Sequence, residues 1–205
     1  MTMTTENPQS TTTDAPAESP GAPELSRERR DLLEVLAKHR EFLIGTATDL
    51  TDEQAASRPT VSELSIGGII KHVAETEQHW ANFMAGNGEA SGDESVEVDW
   101  EALSAGGEIP AEVMEQWKNG FRLVEGETLA SVLDRYAEVA AATDRLVATL
   151  PSLDQEYPLP EAPWFEQGAS WSVRRCIVHI VAETSQHAGH ADIIRESIDG
   201  RKSMG

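Results

Sequence analysis

No stretch of this chain alternates apolar and polar residues over a useful length, which argues against a half-buried sheet as its scaffold. Apolar residues return instead at spacings of three and four. Leu32, Val35, Leu36, His39, Phe42 and Leu43 form one such stripe, in a pattern that starts at Leu25. Ile66, Ile69, Ile70, Val73, Trp80 and Met84 form a second, which starts after Ser65 and ends at Gly86, Asn87 and Gly88. A third helical stretch runs from about Ala111 to Leu150, with a break expected near Gly120 or Gly126, because glycine is a poor helix-interior residue. A fourth begins near Ser172, reaches Ile198 and is closed by Gly200. Between the first two, Thr51-Asp52-Glu53-Gln54 reads as a short capped turn, and Pro59 stops any helix there.

Four amphipathic helices with long connections predict an all-α four-helix bundle. Residues 87–109 are a Gly-rich acidic connection of the kind that is functional or mobile in compact domains. Residues 151–170 carry Pro151, Pro158, Pro160, Pro163 and Gly168, and are expected to cross one end of the bundle as an extended loop. Residues 1–23 contain no Ile, Val, Leu or aromatic residue. Such a segment buries too little apolar surface to offset its ordering entropy, so a disordered tail is expected, leaving 24–205 as the bundle domain.

The formal net charge is −20. That argues against sequence-independent nucleic-acid binding, which needs Lys and Arg to neutralise phosphates, and against an anionic membrane surface. No apolar run approaches the roughly 20 residues of a membrane span, and no charged start with an apolar core marks a secretory signal. Cys176 stands alone and cannot form an intrachain disulfide. These features lead us to expect a cytoplasmic protein.

Histidines concentrate in KHVAETEQHW, from Lys71 to Trp80, and HIVAETSQHAGH, from His179 to His190. In the fourth helix Glu183 and His187 are four residues apart, so they differ by about 40° and lie about 6 Å apart along the axis. Both side chains can converge on one ion. His187 and His190, three apart, can also converge, whereas His179 and His187 are about 12 Å apart along the axis, too far for one ion. His187 falls about 40° from Val173, inside the stripe set by Val173, Ile177, Ile180, Thr184, Ala191 and Ile198, and Glu183 lies at its margin. A Glu and a His turned into a bundle need partners, and a divalent cation is one. His72, at the margin of the second helix's stripe, is the candidate third ligand. Three protein ligands with an open position are the pattern of a catalytic site, and imidazole with carboxylate suits Zn²⁺, Ni²⁺ or Fe²⁺. The competing reading is that these are ordinary hydrogen-bonded residues at the core boundary.

Glu77 falls about 20° from Ile66, near the middle of the second stripe. A Glu there either orients a ligand His from behind or pairs with an Arg such as Arg174 or Arg175. Arg174, Arg175 and Arg195 either hold a substrate carboxylate or form surface ion pairs. Trp164, Phe165 and Trp171 either wall the site or anchor the packing. Cys176 lies on the apolar side of the fourth helix and reads as an inert buried thiol.

The run His72-Val73-Ala74 … Glu77 … Trp80 and the block WSVRRCIVHIVAETSQHAGHADIIRESIDG resemble the DinB/YfiT superfamily, especially its DUF664 branch in actinobacteria. The likeness covers about Leu25 to Gly200, with both helices in order. It implies a DinB/YfiT-type bundle with a metal, zinc first among the candidates, bound by His72, Glu183 and His187. Many members carry His where this chain has Glu183, while the relatives of mycothiol-dependent maleylpyruvate isomerase use Glu. His190 then supports the ligands from behind. The resemblance further implies a low-molecular-weight thiol, mycothiol or bacillithiol, as cosubstrate and a small electrophile as its partner, in thiol S-transfer or isomerisation. Two other functions fit the same residues: a non-catalytic, stress-associated metal-binding bundle, and a homodimeric interaction module whose His cluster is only structural.

Overall fold

The computed structural model describes residues 25–87, 108–160, 162 and 164–203. The expected N-terminal tail and nearly all of the acidic connection lie outside the described residues. Among the described residues, six helices and one strand pair follow in order: α1 (Arg27–Gly45), α2 (Asp52–Ala56), α3 (Ile66–Met84), α4 (Ala111–Gly120), α5 (Leu129–Thr149), β1 (Glu156–Pro158), β2 (Ser170–Ser172) and α6 (Val173–Asp199). The all-α bundle expected from periodicity is the observed architecture, built from α1, α3, α5 and α6.

Helix starts follow local capping chemistry. Ser26, Ser65 and Ser172 each accept a hydrogen bond from the backbone N–H three residues on, and Thr51 and Thr128 form reciprocal capping boxes with Gln54 and Ser131. At the other end of α6, Gly200 adopts φ 79°, the left-handed conformation that terminates a helix. The third helical stretch is interrupted between α4 and α5, where Phe121 caps α4 and Gly126 has φ 88°. The loop expected at 151–170 contains two three-residue strands, paired antiparallel with Tyr157 opposite Trp171. Three residues are too few for alternation to show.

Two apolar clusters stack along the bundle. One joins Leu43 of α1, Ile66, Ile69, Ile70, Val73 and Ala74 of α3, Leu129, Val132 and Tyr136 of α5, and Ala188, Ala191 and Ile194 of α6. The other joins Leu36, Trp80, Phe83, Met84, Val147, Val173, Cys176, Ile177 and Ile180. The order in which each helix visits the clusters gives its direction. α1 and α6 run one way, and α3 and α5 the other. Parallel α3 and α5 cannot be joined by a tight turn, which is why a long connection, residues 85–128, separates them in the chain. Of the first stripe, Leu36 and Leu43 are buried, but Val35 is 41 % exposed.

Between the clusters lies a polar belt at mid-height. It contains Arg40 of α1, His72 and Glu77 of α3, Thr143 and Asp144 of α5, and Glu183, Thr184 and His187 of α6, with Arg40, Glu77, Thr143, Thr184 and His187 buried. Each bundle helix thus carries polar residues near where the two clusters meet, and the site lies in this region.

Gly67 and Gly68 allow the 121–123 segment to lie on α3. A Cβ on Gly68 would sit 1.9 Å from the Phe121 carbonyl oxygen, and one on Gly67 would sit 2.8 Å from Leu123. We expect Gly68→Ala to destabilise the fold by about 1–3 kcal/mol, the range for overpacking, and more if the 121–123 backbone detaches. Gly189 of α6 has open space around its Cβ position, so Gly189→Ala is expected to stabilise by roughly 0.5–1 kcal/mol through helix propensity. Urea melts of the two variants should move in opposite directions.

Candidate metal centre

His72 on α3 and Glu183 and His187 on α6 each bring a ligand atom to one point, and the three atoms lie within 4.8 Å of one another. The i, i+4 relation on α6 supplies two of them, with the Glu183 Oε2 to His187 Nε2 separation at 3.6 Å. That is longer than a hydrogen bond, and close to the spacing of two donors on one cation. The third comes across the antiparallel α3/α6 interface, where the His72 and His187 rings meet edge to face at 4.9 Å.

Burial holds both imidazoles neutral. Desolvation, with the neighbouring His187 adding to it, lowers the His72 pKa to about 4. Desolvation also lowers His187, His190 adding to the effect and Glu183 opposing it. Neutral imidazole is the form that offers a lone pair to a metal. The Nδ1 atoms of His187 and His190 are buried without a hydrogen-bond partner, and the two rings are 5.5 Å apart. His190 thus lies beside His187.

The pKa of His72 has a measurable consequence. Its folded value lies below the unfolded one of about 6.5, so the unfolded chain takes up the proton first. This contribution to stability is complete above about pH 6.5, declines as the pH falls towards 4, and levels off below that. Melts of the metal-free protein across this window should show the decline, and His72→Gln should flatten it. Superimposable profiles for the two proteins would rule the effect out.

The surroundings differ in part from expectation. Glu77 is buried as its place on the stripe requires, but its partner is Arg40, not Arg174 or Arg175. Arg40 Nε donates to one carboxylate oxygen at 3.1 Å, Nη2 donates to the other, and Nη1 reaches Asp144 at 2.8 Å. Arg174 pairs at the surface with Glu28 and Asp154. Arg175 lies over the Trp171 ring at 4.4 Å. Arg195 is buried, holding Asp199 and the carbonyls of Thr46 and Thr48. Trp171 stacks on Trp80 at 4.7 Å as a packing anchor, and Trp164 is exposed. Cys176 is fully buried, and burial pushes its thiol up to about 12, so it is inert as expected.

Three contacts around the site were not read from the sequence. His179 Nε2 faces the other carboxylate oxygen of Glu183 at 3.7 Å, so Glu183 stands between two histidines one turn away on either side. The i, i+4 spacing would have found that contact. His179 also meets the edges of Trp80 and Trp171 at 5.0 and 5.1 Å. Phe121 stacks on His72 with centroids 3.9 Å apart. The Gly67-Gly68 pair, two poor helix formers inside a helical stretch, was the sequence signal that a backbone approaches there. Which residue approaches could not be read. The remaining histidines lie apart: His39 is hydrogen-bonded to Ser185 at 2.9 Å, and His79 lies against Trp80 at 5.6 Å.

A profile of the family described as mycothiol S-transferase matches residues 31–200. The chain belongs to the mycothiol S-transferase family. The match runs from the second turn of α1 to the glycine that ends α6, and bears out the DinB/YfiT resemblance. Among solved structures, a conserved protein from Enterococcus faecalis superimposes with a TM-score of 0.60 at 14 % identity, over 86 % of this chain and 99 % of that one. At that identity the likeness shows the fold alone. No curated protein matches the chain by sequence. Among the described residues, no helix is long and apolar enough to cross a membrane.

Proposed function

We propose that this member of the mycothiol S-transferase family is a metal-dependent enzyme that transfers a low-molecular-weight thiol, mycothiol or a close analogue, to small electrophiles in the cytoplasm. His72, Glu183 and His187 hold the ion. The observation that carries this reading is the convergence of donors from two helices more than a hundred residues apart in the chain. Fit supports it as well. Two donors on one tetrahedral ion stand roughly 3.4 Å apart, so ion binding needs the widest pair of the trio to draw in by about 1–1.5 Å, within the reach of side-chain rotations. With His187 Nε2 facing Glu183, its buried Nδ1 has no partner among the described residues, a place for the water that ordinarily supports a ligand imidazole.

A divalent ion at these donors would supply electrostatic stabilisation of a bound thiolate, lowering the thiol's pKa. The neutral imidazoles and the single carboxylate leave such an ion with net positive charge, which favours an anionic sulfur. With an electrophile that bears a leaving group, a sulfur–carbon bond forms as the carbon–leaving-group bond breaks. The thiol proton and the leaving group depart together as an acid. Zn²⁺ suits this donor set, as do Ni²⁺ and Fe²⁺.

Elemental analysis of protein purified without added metal or a His tag should find close to one divalent ion per chain, and chelation should lower the thermal midpoint. Turnover of a model electrophile should follow mycothiol ahead of glutathione and bacillithiol. Metal-free protein whose midpoint ignores chelators would favour the structural-module alternative. Bound metal without turnover for any thiol would favour the non-catalytic one.

A further inference from the structure

A metal-bound histidine is ordinarily aimed by a hydrogen bond from its second ring nitrogen to a carboxylate, a carbonyl or water. Among the described residues His72 makes no hydrogen bond, and its contacts are with two rings. Phe121 lies across its face, centroids 3.9 Å apart and planes inclined by 25°, and the same phenyl ring is 6.2 Å from His187. We propose that Phe121 is a positioning residue for His72, a ring clamp that holds the imidazole plane turned towards Glu183 and His187. The inference rests on the metal-centre reading above.

The contact is built to be rigid. Phe121 follows α4, and its backbone presses on α3 at Gly68, one turn before His72, where even a methyl group has no room. The Leu123 side chain packs against Gly67 beside it. Further on, the Glu127 carboxylate pairs with Lys71 at 2.9 Å, next to His72 in the chain, and also accepts the Val124 N–H at 3.0 Å. The segment that carries the phenyl ring is therefore fastened to the helix that carries the imidazole at three points around it. With the faces in contact, rotation of the imidazole about χ2 drives its edge into the phenyl plane. A flat ring restrains that rotation, and a branched aliphatic side chain of similar bulk does not.

The test uses Co²⁺ binding to the full chain, whose visible absorption reports the ion's ligand geometry, in the wild type, Phe121→Leu and Phe121→Tyr. Phe121→Leu is expected to weaken Co²⁺ binding by about 10–100-fold, the usual effect of removing a group that orients a ligand, and to shift the absorption bands. The metal-free helical signal and thermal midpoint should stay close to wild type. Phe121→Tyr, which keeps the ring face, should restore affinity and spectrum. Wild-type affinity in Phe121→Leu, or equal losses in both variants, would overturn the clamp while leaving the metal centre standing. A wild type that takes up no Co²⁺ would overturn the metal-centre reading, and the clamp with it.

Discussion

His72→Ala is expected to lose metal by more than about 100-fold in affinity and to lose thiol-dependent turnover with it, whereas His39→Ala should keep both. Outer partners of a metal ligand already contribute 10–100-fold, and a ligand itself contributes more. His72 is the sole donor of the trio on α3, so its removal leaves two groups on one helix, too few to hold a catalytic ion in fixed geometry. His39 is the matched control. It too is a half-buried histidine near α6, but its Nδ1 meets the Ser185 hydroxyl and it has no place among the three donors. Metal content after dialysis and turnover with mycothiol read the two variants side by side. Equal retention in both would remove His72 from the site. Glu183→Ala and His187→Ala should resemble His72→Ala, since each takes away one of three donors.

The second large effect concerns stability. Arg40 and Glu77 form an ion pair with side-chain exposures of 7 % and 0 %, and Asp144 binds the remaining arm of the guanidinium. Removing one member of a buried pair strands the other charge in a poorly solvated place, at a cost of about 3–5 kcal/mol. For a domain of this size each kcal/mol moves the midpoint by about 2–4 °C, so Glu77→Ala should lower it by roughly 6–20 °C. Arg40→Ala should cost at least as much, because it leaves the buried Glu77 carboxylate without its partner, whereas Glu77→Ala leaves Arg40 its bond to Asp144. The apolar double variant Arg40→Met/Glu77→Leu should lie well above Glu77→Ala, because neither charge is left buried alone. A Glu77→Ala midpoint within 2 °C or so of wild type would show that water reaches the pair.

The pair also explains why the belt does not collapse into a continuous apolar core. Arg40 closes the belt on the α1 side, while the three donors face each other across α3 and α6. The buried charges occupy the level at which the helices must present polar groups, and the two apolar clusters hold that level in register from above and below.

How far the chain could be read ahead of its fold differs from element to element. The bounds of α3 follow from Ser65 and Gly86, and the end of α6 from Gly200, because caps are local chemistry within one turn. The burial of Glu77 followed from its angle on the stripe, but Arg40 as its partner did not. Those residues are 37 positions apart on different helices, and no helical wheel relates them. The short strands at 156–158 and 170–172 pair through backbone groups and left too little side-chain pattern to be seen.

By itself, the amino-acid order determined four amphipathic helices, their caps, and the shared face of Glu183 and His187. All of these depend on hydrogen bonds and spacings within one helix, where a rise of about 1.5 Å per residue relates every neighbour. Only the tertiary structure decided that His72 meets that pair, that Arg40 answers Glu77, and that Phe121 lies on His72. Those contacts depend on how far one helix slides along another, and that offset is settled by the packing of both apolar clusters at once, with no single residue to announce it.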